Sequence, residues 1–325
     1  MNMTLNLKSR SALLLLSLVA TCLPATAQVQ LPAGKDVNAP TKRHLPQAVF
    51  SSPQDAVVGL VAAMRSNDWK LMHEILGHEA SRYIQSSNAA ADNEARDRFL
   101  QAYDEKSRIE LKGHALAVVH VGKDEWPLPF PLVRQAGKWH FDSKNGIREW
   151  QDRRIGANEL SAIQVALAYV DAQREYVEKE HKADGLLEYA RHIVSTEGKH
   201  DGLYWPRAAG EPLSPMGQAF ANADKSPDGA GRLESKPFHG YFFRILTAQG
   251  KSAPGGELNY LVKDKLIGGF GLIAYPASYG ESGIKSFIVN HNGVVYSKDL
   301  GADSAAAAKA IASFDPDPTW KKEVK

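Results

Sequence analysis

Cysteine is almost missing from this chain: Cys22 stands alone in 325 residues. An internal disulfide framework and a Cys-ligated zinc site are excluded by that count. An excess of one charge is missing too. The formal net charge is +2, which leaves no electrostatic footprint for nucleic acid. Beyond the N-terminus no segment approaches the ~20 consecutive apolar residues of a transmembrane helix. What is present is ordinary: 43% hydrophobic and 23% charged residues, a globular balance that argues against disorder or a fibrous repeat. The length suits about two domains with sizeable cores.

Residues 1–27 read as a secretory signal. Lys8 and Arg10 form the positive start, Ala12 to Ala20 the apolar stretch, and Ala25-Thr26-Ala27 the small residues before a cut. Cleavage is expected after Ala27, giving a periplasmic or secreted product with no transmembrane segment left. The alternative is a lipoprotein: Val19-Ala20-Thr21-Cys22 loosely resembles a lipobox, although threonine before the cysteine fits it poorly. Cleavage also removes the net charge. The first 27 residues hold two basic groups and no acidic ones, so +2 falls to zero. A polyanion-binding surface would have to be very local.

Gln28 to Val49, rich in Pro, Ala, Lys and Gln, reads as a flexible lead-in to a first domain at 51–150. Ser52 is placed to cap a helix that carries Pro53 in its first turn and Val57, Leu60, Val61 and Met64 as its buried stripe. Leu71, Ile75 and Leu76 suggest a second helix ending at Gly77. A third spans Asn93 to Lys106, with Phe99, Leu100 and Tyr103 inward. A β-rich stretch follows from Ile109, through prolines that suit an edge or bulged strand, to the strand Trp139-His140-Phe141-Asp142. Helices followed by a hairpin ending in "GKWHFD" resemble the cone-shaped α+β fold of nuclear-transport-factor-2-like domains.

The second domain, 151–325, opens on an amphipathic helix over Ile155–Lys182, with Leu160, Ile163, Leu167, Val170 and Val177 at helical steps. A long connection with little periodicity runs from Gly185 to Pro237. Strands are expected at 238–246, 258–262, 266–274 and 284–289, and Asn292-Gly293 signals a tight hairpin. An alanine-rich helix, 304–313, would close the chain. An antiparallel sheet packed on the long helix gives both elements somewhere to bury an apolar face.

The strings "PFHGYFFRILTAQGKSAPGGELNYLV", "IGGFGLIAYPASYGESGIKSFIVNHNGVVYSKDLG" and "FDPDPTW" resemble the bacterial family called domain of unknown function 2950. The order of long helix, extended loop and GYFFRI strand is similar, more distantly, to the globular part of type IV pilins and pseudopilins. The resemblance implies an exported α+β protein and supplies no activity. The chain departs from a pilin where Arg148 to Arg154 is heavily charged, because a filament core or bilayer would have to bury those charges.

Chemical motifs are thin. His73-Glu74 with His78 misses the zinc-protease spacing by one residue, which on a continuous helix turns the imidazoles about 140° apart. Asp224, Ser226, Asp228 and Gly229 match the opening of a calcium loop, but its twelfth position is Ser235 where glutamate is needed. Calcium at Asp224 and Asp228 is the one cofactor worth testing. Gly269-Phe270-Gly271 through Ala274 fits a loose dinucleotide fingerprint in a β context, where close strand packing explains the glycines better. Gly280-Glu281-Ser282-Gly283 misses a nucleophile elbow by one residue. Tyr204, Trp205, His239, Tyr241, Asn290 and His291 are the candidate binding patch, read against plain packing at strand ends. Trp126, Trp139, Trp150 and Trp320 read as core or interface anchors. Three functions follow as expectations. The first is a non-enzymatic envelope binding or assembly module with an envelope protein or small ligand as partner. The others are a periplasmic hydrolase with its pocket in the first domain or at the domain seam, and a pseudopilin-like secretion component.

Overall fold

The computed structural model describes residues 46–85, 89–179, 187–206, 213–217 and 237–323. The signal segment with Cys22, most of the lead-in and the loop holding Asp224 and Asp228 lie outside the described residues. The chain divides into two compact units between Arg153 and Arg154.

In the first unit, Ser52 caps α1 (Pro53–Arg65): its Oγ accepts from the Asp55 N–H at 3.1 Å. Ala56, Val57, Leu60 and Val61 are its buried stripe. Asp68 caps α2 (Trp69–Leu76) by accepting from the Leu71 N–H at 3.0 Å. This helix stops at Gly77, whose φ of 89° suits a residue without Cβ. Leu71, expected inside, is 36% exposed. Met72, Ile75 and Leu76 already complete the i, i+3, i+4 face, which leaves no inward place for it. A 3₁₀ turn (His78–Ala80), α3 (Ser81–Ile84) and α4 (Ala89–Glu105) follow.

The strands β1 (Ser107–Lys112), β2 (Leu116–Val121), β3 (Trp126–Pro127), β4 (Leu132–Gln135) and β5 (Lys138–Phe141) form one antiparallel sheet. Its order is β1-β2-β4-β5, with β3 on β2. Pro129 and Pro131 fall between β3 and β4, where residues without an N–H break the ladder. Helices α1 and α4 pack on this sheet around Leu60, Ile75, Phe99, Val119, Leu132 and Phe141.

The long helix α5 (Ser143–Lys179) starts twelve residues before the Ile155 expected from periodicity. Asp142 is the reason: it accepts from the Asn145 N–H at 3.1 Å and caps the helix. Trp150 then packs edge-on against Tyr83 and beside Ala95. The unit boundary falls inside this helix.

In the second unit the buried face of α5 is Ala162, Ala166, Tyr169, Val170, Gln173 and Tyr176. Leu160, expected in that stripe, is 54% exposed. Small alanines admit a neighbour closely and tyrosines fill the space, so the face is not marked by large aliphatics. Next come the parallel pair β6 (His192–Val194) and β7 (Gly202–Tyr204), then β8 (Tyr241–Leu246). Two short antiparallel ladders follow: β9 (Ala248–Gln249) with β10 (Leu258–Asn259), and β11 (Leu261–Val262) with β12 (Lys265–Leu266). The remaining elements are β13 (Gly271–Pro276), β14 (Lys285–Asn290), β15 (Tyr296–Asp299), α6 (Ser304–Ala310) and β16 (Lys321–Lys322).

The main sheet, β16-β15-β14-β13-β8, is antiparallel throughout. Alternation sends Tyr241, Phe243, Leu272 and Phe287 into the core shared with α5. Leu246, Ile273, Tyr275 and Ile288 pack with α6, Phe314 and Trp320 on the other side. The Asn-Gly turn is wider than a two-residue hairpin: pairing stops at Ile288 opposite Tyr296. The Gly293 N–H closes it on the Asn290 carbonyl at 2.8 Å, and buried Val295 draws the following chain inward. The polar residues at this end of α5 hold a loop. Arg154 donates to the Glu281 carbonyl at 2.6 Å and Asn158 to that of Ser282 at 2.9 Å. Glu159 accepts the N–H groups of Ile284 and Lys285.

Candidate functional site

The six residues of the expected patch differ in accessibility. Trp205 is 4% exposed, Tyr241 0% and Asn290 1%, while Tyr204 and His291 are half-buried and His239 is exposed. Trp205 stacks on His200 with ring centres 4.2 Å apart. The Tyr241 hydroxyl donates to the Lys285 carbonyl at 2.8 Å. His239 (φ 46°) and Gly240 (φ 75°) form the left-handed turn that leads into β8. Burial pulls the His239 imidazole below its usual pKa. Asn290 joins a buried group in which Gln249 Oε1 accepts from the Tyr260 hydroxyl at 2.7 Å and from Asn290 at 3.3 Å. His291 sits edge-on to Tyr260 and Phe270. Its pKa is lowered by burial and then by Arg174. Gly269 belongs to this packing, since a Cβ there would lie 2.7 Å from His291 Nδ1.

The histidine motif of the first unit needs a correction. His73 and His78 do not point apart, because the helix ends between them and their rings meet edge-on at 6.2 Å. His73 is half-buried, and burial followed by His78 lowers its pKa. Among the described residues no three His, Cys, Asp or Glu side chains converge as a metal site. Trp139, Trp150 and Trp320 are buried anchors, and Trp126 lies under the Arg153 guanidinium at 4.9 Å.

A different place in the first unit has the form of a site. A cavity of about 70 Å³ lies between α1, α2, α3, α4 and the connection from β3 to β4. Leu60, Met72, Phe99 and Phe130 are among its buried walls, and half-buried Met64, Trp69, Ile84 and Arg96 surround its mouth. The lining is apolar apart from Asp92 and Arg96, one helical turn apart on α4. Asp92 is 3% exposed and has partners of its own. Arg96 is oriented from two sides. Its Nη1 donates to Asn93 at 2.9 Å and also to Asn67. Asn67 occupies the left-handed turn between α1 and α2, with φ 55°, a conformation asparagine tolerates better than most residues.

Sequence reasoning missed this site because it began the third helix at Asn93, which left Asp92 off the helix. The available signal was a charged pair at i and i+4 beside Phe99 on the inward stripe of α4.

Helices and antiparallel sheets in both units define an α+β protein. Residues 47–323 match the family described as "Protein of unknown function (DUF2950)", and the chain belongs to it. No curated protein and no solved structure matches the chain.

Proposed function

We propose that this protein is an exported, non-enzymatic binding module of the cell envelope, and that the cavity of its first unit holds a small apolar ligand. The observation that carries the reading is the lining itself. Apolar side chains surround a half-open space with only two charged groups near it, the usual composition of a small-molecule site. Two methionines, Met64 and Met72, give walls that adapt to an occupant. The lining contains no hydroxyl, thiol or imidazole, which favours retention of a ligand over its hydrolysis.

Export rests on the three-part segment ending in Ala25-Thr26-Ala27. Helices α1 to α4 ahead of an antiparallel sheet support the cone-like reading of the first unit, and a long helix on an antiparallel sheet supports the pilin-like reading of the second. Half-buried Tyr204 and His291 and exposed His239 are the members of the proposed patch that an envelope partner could reach.

The test is native mass spectrometry of the protein recovered from the periplasmic fraction. The expected species begins at Gln28 and carries one small organic molecule, which is lost when Ala95→Leu fills the cavity. Turnover of an ester, phosphoester or peptide substrate, abolished by changing Asp92 or Arg96 without unfolding, would replace this reading with the hydrolase.

A further inference from the structure

We propose that β1 pairs antiparallel with β1 of a second copy of this chain, so that two first-unit sheets join edge to edge. The proposal is independent of the cavity and its ligand. β1 is an edge strand of 6 residues with β2 as its neighbour in the sheet. Proteins usually blunt such an edge with proline, a bulge or a covering element. β1 contains no proline, and its register with β2 is unbroken from Ser107 to Lys112. The ladder fixes which backbone groups face outward. The Gly122 N–H donates to the Lys106 carbonyl at 2.8 Å, and direction alternates along an antiparallel strand. Arg108, Glu110 and Lys112 therefore turn their backbone groups toward β2, while Ser107, Ile109 and Leu111 turn theirs outward. Among the described residues none of those outward N–H groups and carbonyls has a partner. The Leu111 side chain beside them is 62% exposed.

The side chains select a second copy as the occupant. A two-fold axis at Ile109 sets Ile109 opposite Ile109 and Ser107 opposite Leu111, and every outward backbone group then finds a partner. The same register sets Arg108 of each copy opposite Glu110 of the other, in the non-hydrogen-bonded positions where side chains come closest. Arg108 has a nitrogen in reserve for this contact. Its Nε and Nη2 donate to Glu125, while Nη1 lies 3.8 Å from its own Glu110, beyond hydrogen-bond reach. Lys112 meets Lys106 of the other copy, whose charge Glu125 already balances at 2.8 Å. Leu111 comes to lie diagonally beside Ile109, which covers its exposed side chain. Sliding one strand by two residues either way puts Arg108 on Arg108 or Glu110 on Glu110, and like charges directly opposite oppose pairing. The alternating signs thus admit a second copy in one register and disfavour other strands.

The experiment is analytical ultracentrifugation of the chain beginning at Gln28, from micromolar to millimolar concentration. Wild type should reach twice the monomer mass. Leu111→Pro removes one outward N–H without touching a core side chain, and Arg108→Glu sets a like charge against Glu110. Each should weaken association about tenfold or more. The register is read by oxidising single-cysteine variants, since the chain from Gln28 has no cysteine of its own. Ser107→Cys mixed with Leu111→Cys should crosslink, because directly opposed residues lie within disulfide reach, and neither variant should crosslink with itself. A monomer at every concentration would overturn the proposal. So would a dimer indifferent to Leu111→Pro and Arg108→Glu, a mixture that fails to crosslink, or an edge occupied by a segment of another protein. If Arg108→Glu melts early, Leu111→Pro and the mixed crosslink decide.

Discussion

Filling the cavity should stabilise the protein and disable it at once. Ala95 is the smallest side chain in the lining and is 5% exposed. It lies on α4, where leucine is nearly as good a helix former as alanine. At about 24 cal/mol per Å³ of enclosed void, a space of 70 Å³ corresponds to at most about 1.7 kcal/mol of unrealised packing, since it is half-open. Leucine adds three carbons, a gross gain of about 2.4 kcal/mol at ~0.8 kcal/mol for each one buried. Tyr83 and Trp150 touch Ala95 as well, so part of that gain is returned as local strain, and overpacking alone costs about 1–3 kcal/mol. The expected net for Ala95→Leu is a gain of about 1 kcal/mol. For a unit of about 100 residues that is a rise of roughly 4–8 °C in melting temperature. Thermal and urea unfolding of the mature chain would measure the gain, and native mass spectrometry the loss of the bound small molecule. A stabilised variant that still binds would show that the ligand sits elsewhere. A variant destabilised by about 2 kcal/mol or more would show that the space is already committed to packing.

Other substitutions test the frame of the second unit. Gly283→Ala would place a Cβ 2.1 Å from the Tyr241 hydroxyl. Tyr241 is fully buried and tied to the Lys285 carbonyl, so it has nowhere to retreat; a loss of about 1–3 kcal/mol should appear as a lower urea midpoint at unchanged slope. Gln173→Leu removes the acceptor of the Ala190 N–H and the donor to its carbonyl, bonds of 2.9 and 2.8 Å. Stability should drop by about 2–4 kcal/mol, with faster amide exchange at Ala190; unchanged exchange there would refute the assignment. Acid should also weaken the fold. Burial holds the pKa values of folded His239 and His291 below the ordinary imidazole value of about 6.5. As pH falls through that value the unfolded chain takes up protons first, so stability is full above it and declines below it. His291→Phe keeps the ring packing and should flatten the decline between pH 7.5 and 5.5. An unaltered slope would exclude His291 as a contributor.

Much of the fold could be read from local chemistry. The cap at Ser52, the stop at Gly77, the proline-broken sheet and the alternation of β8, β13 and β14 each follow from one or two residues. Misreadings came where packing depends on small or polar side chains. The buried face of α5 is built from Ala162, Ala166, Tyr169 and Gln173, none of which scores as strongly apolar, so Leu160 drew the stripe toward the wrong side. The first turns of the same helix lack a regular apolar period and are held by the Asp142 cap and by Trp150. Burial of the polar strand-end residues is a tertiary outcome as well. Asn290 and Tyr241 sit among residues far away in sequence, which a linear reading cannot bring together.

The two units use their buried polar groups differently. In the second, Gln173, Gln249 and Tyr241 are spent on backbone carbonyls: those of Ala190, of Pro254 and Gly256, and of Lys285. Such bonds satisfy groups that would otherwise be costly to bury, and they fix loops to the sheet. The first unit leaves about 70 Å³ unfilled behind an almost wholly apolar lining. Filling a space of that size would recover at most about 1.7 kcal/mol of packing. On the proposed reading, ligand binding is what keeps it open. The patch in the second unit was drawn from residue types that often bind ligands, but its buried members already have work in the fold. The cavity, drawn from none of those types, is where the physical cost has no structural return.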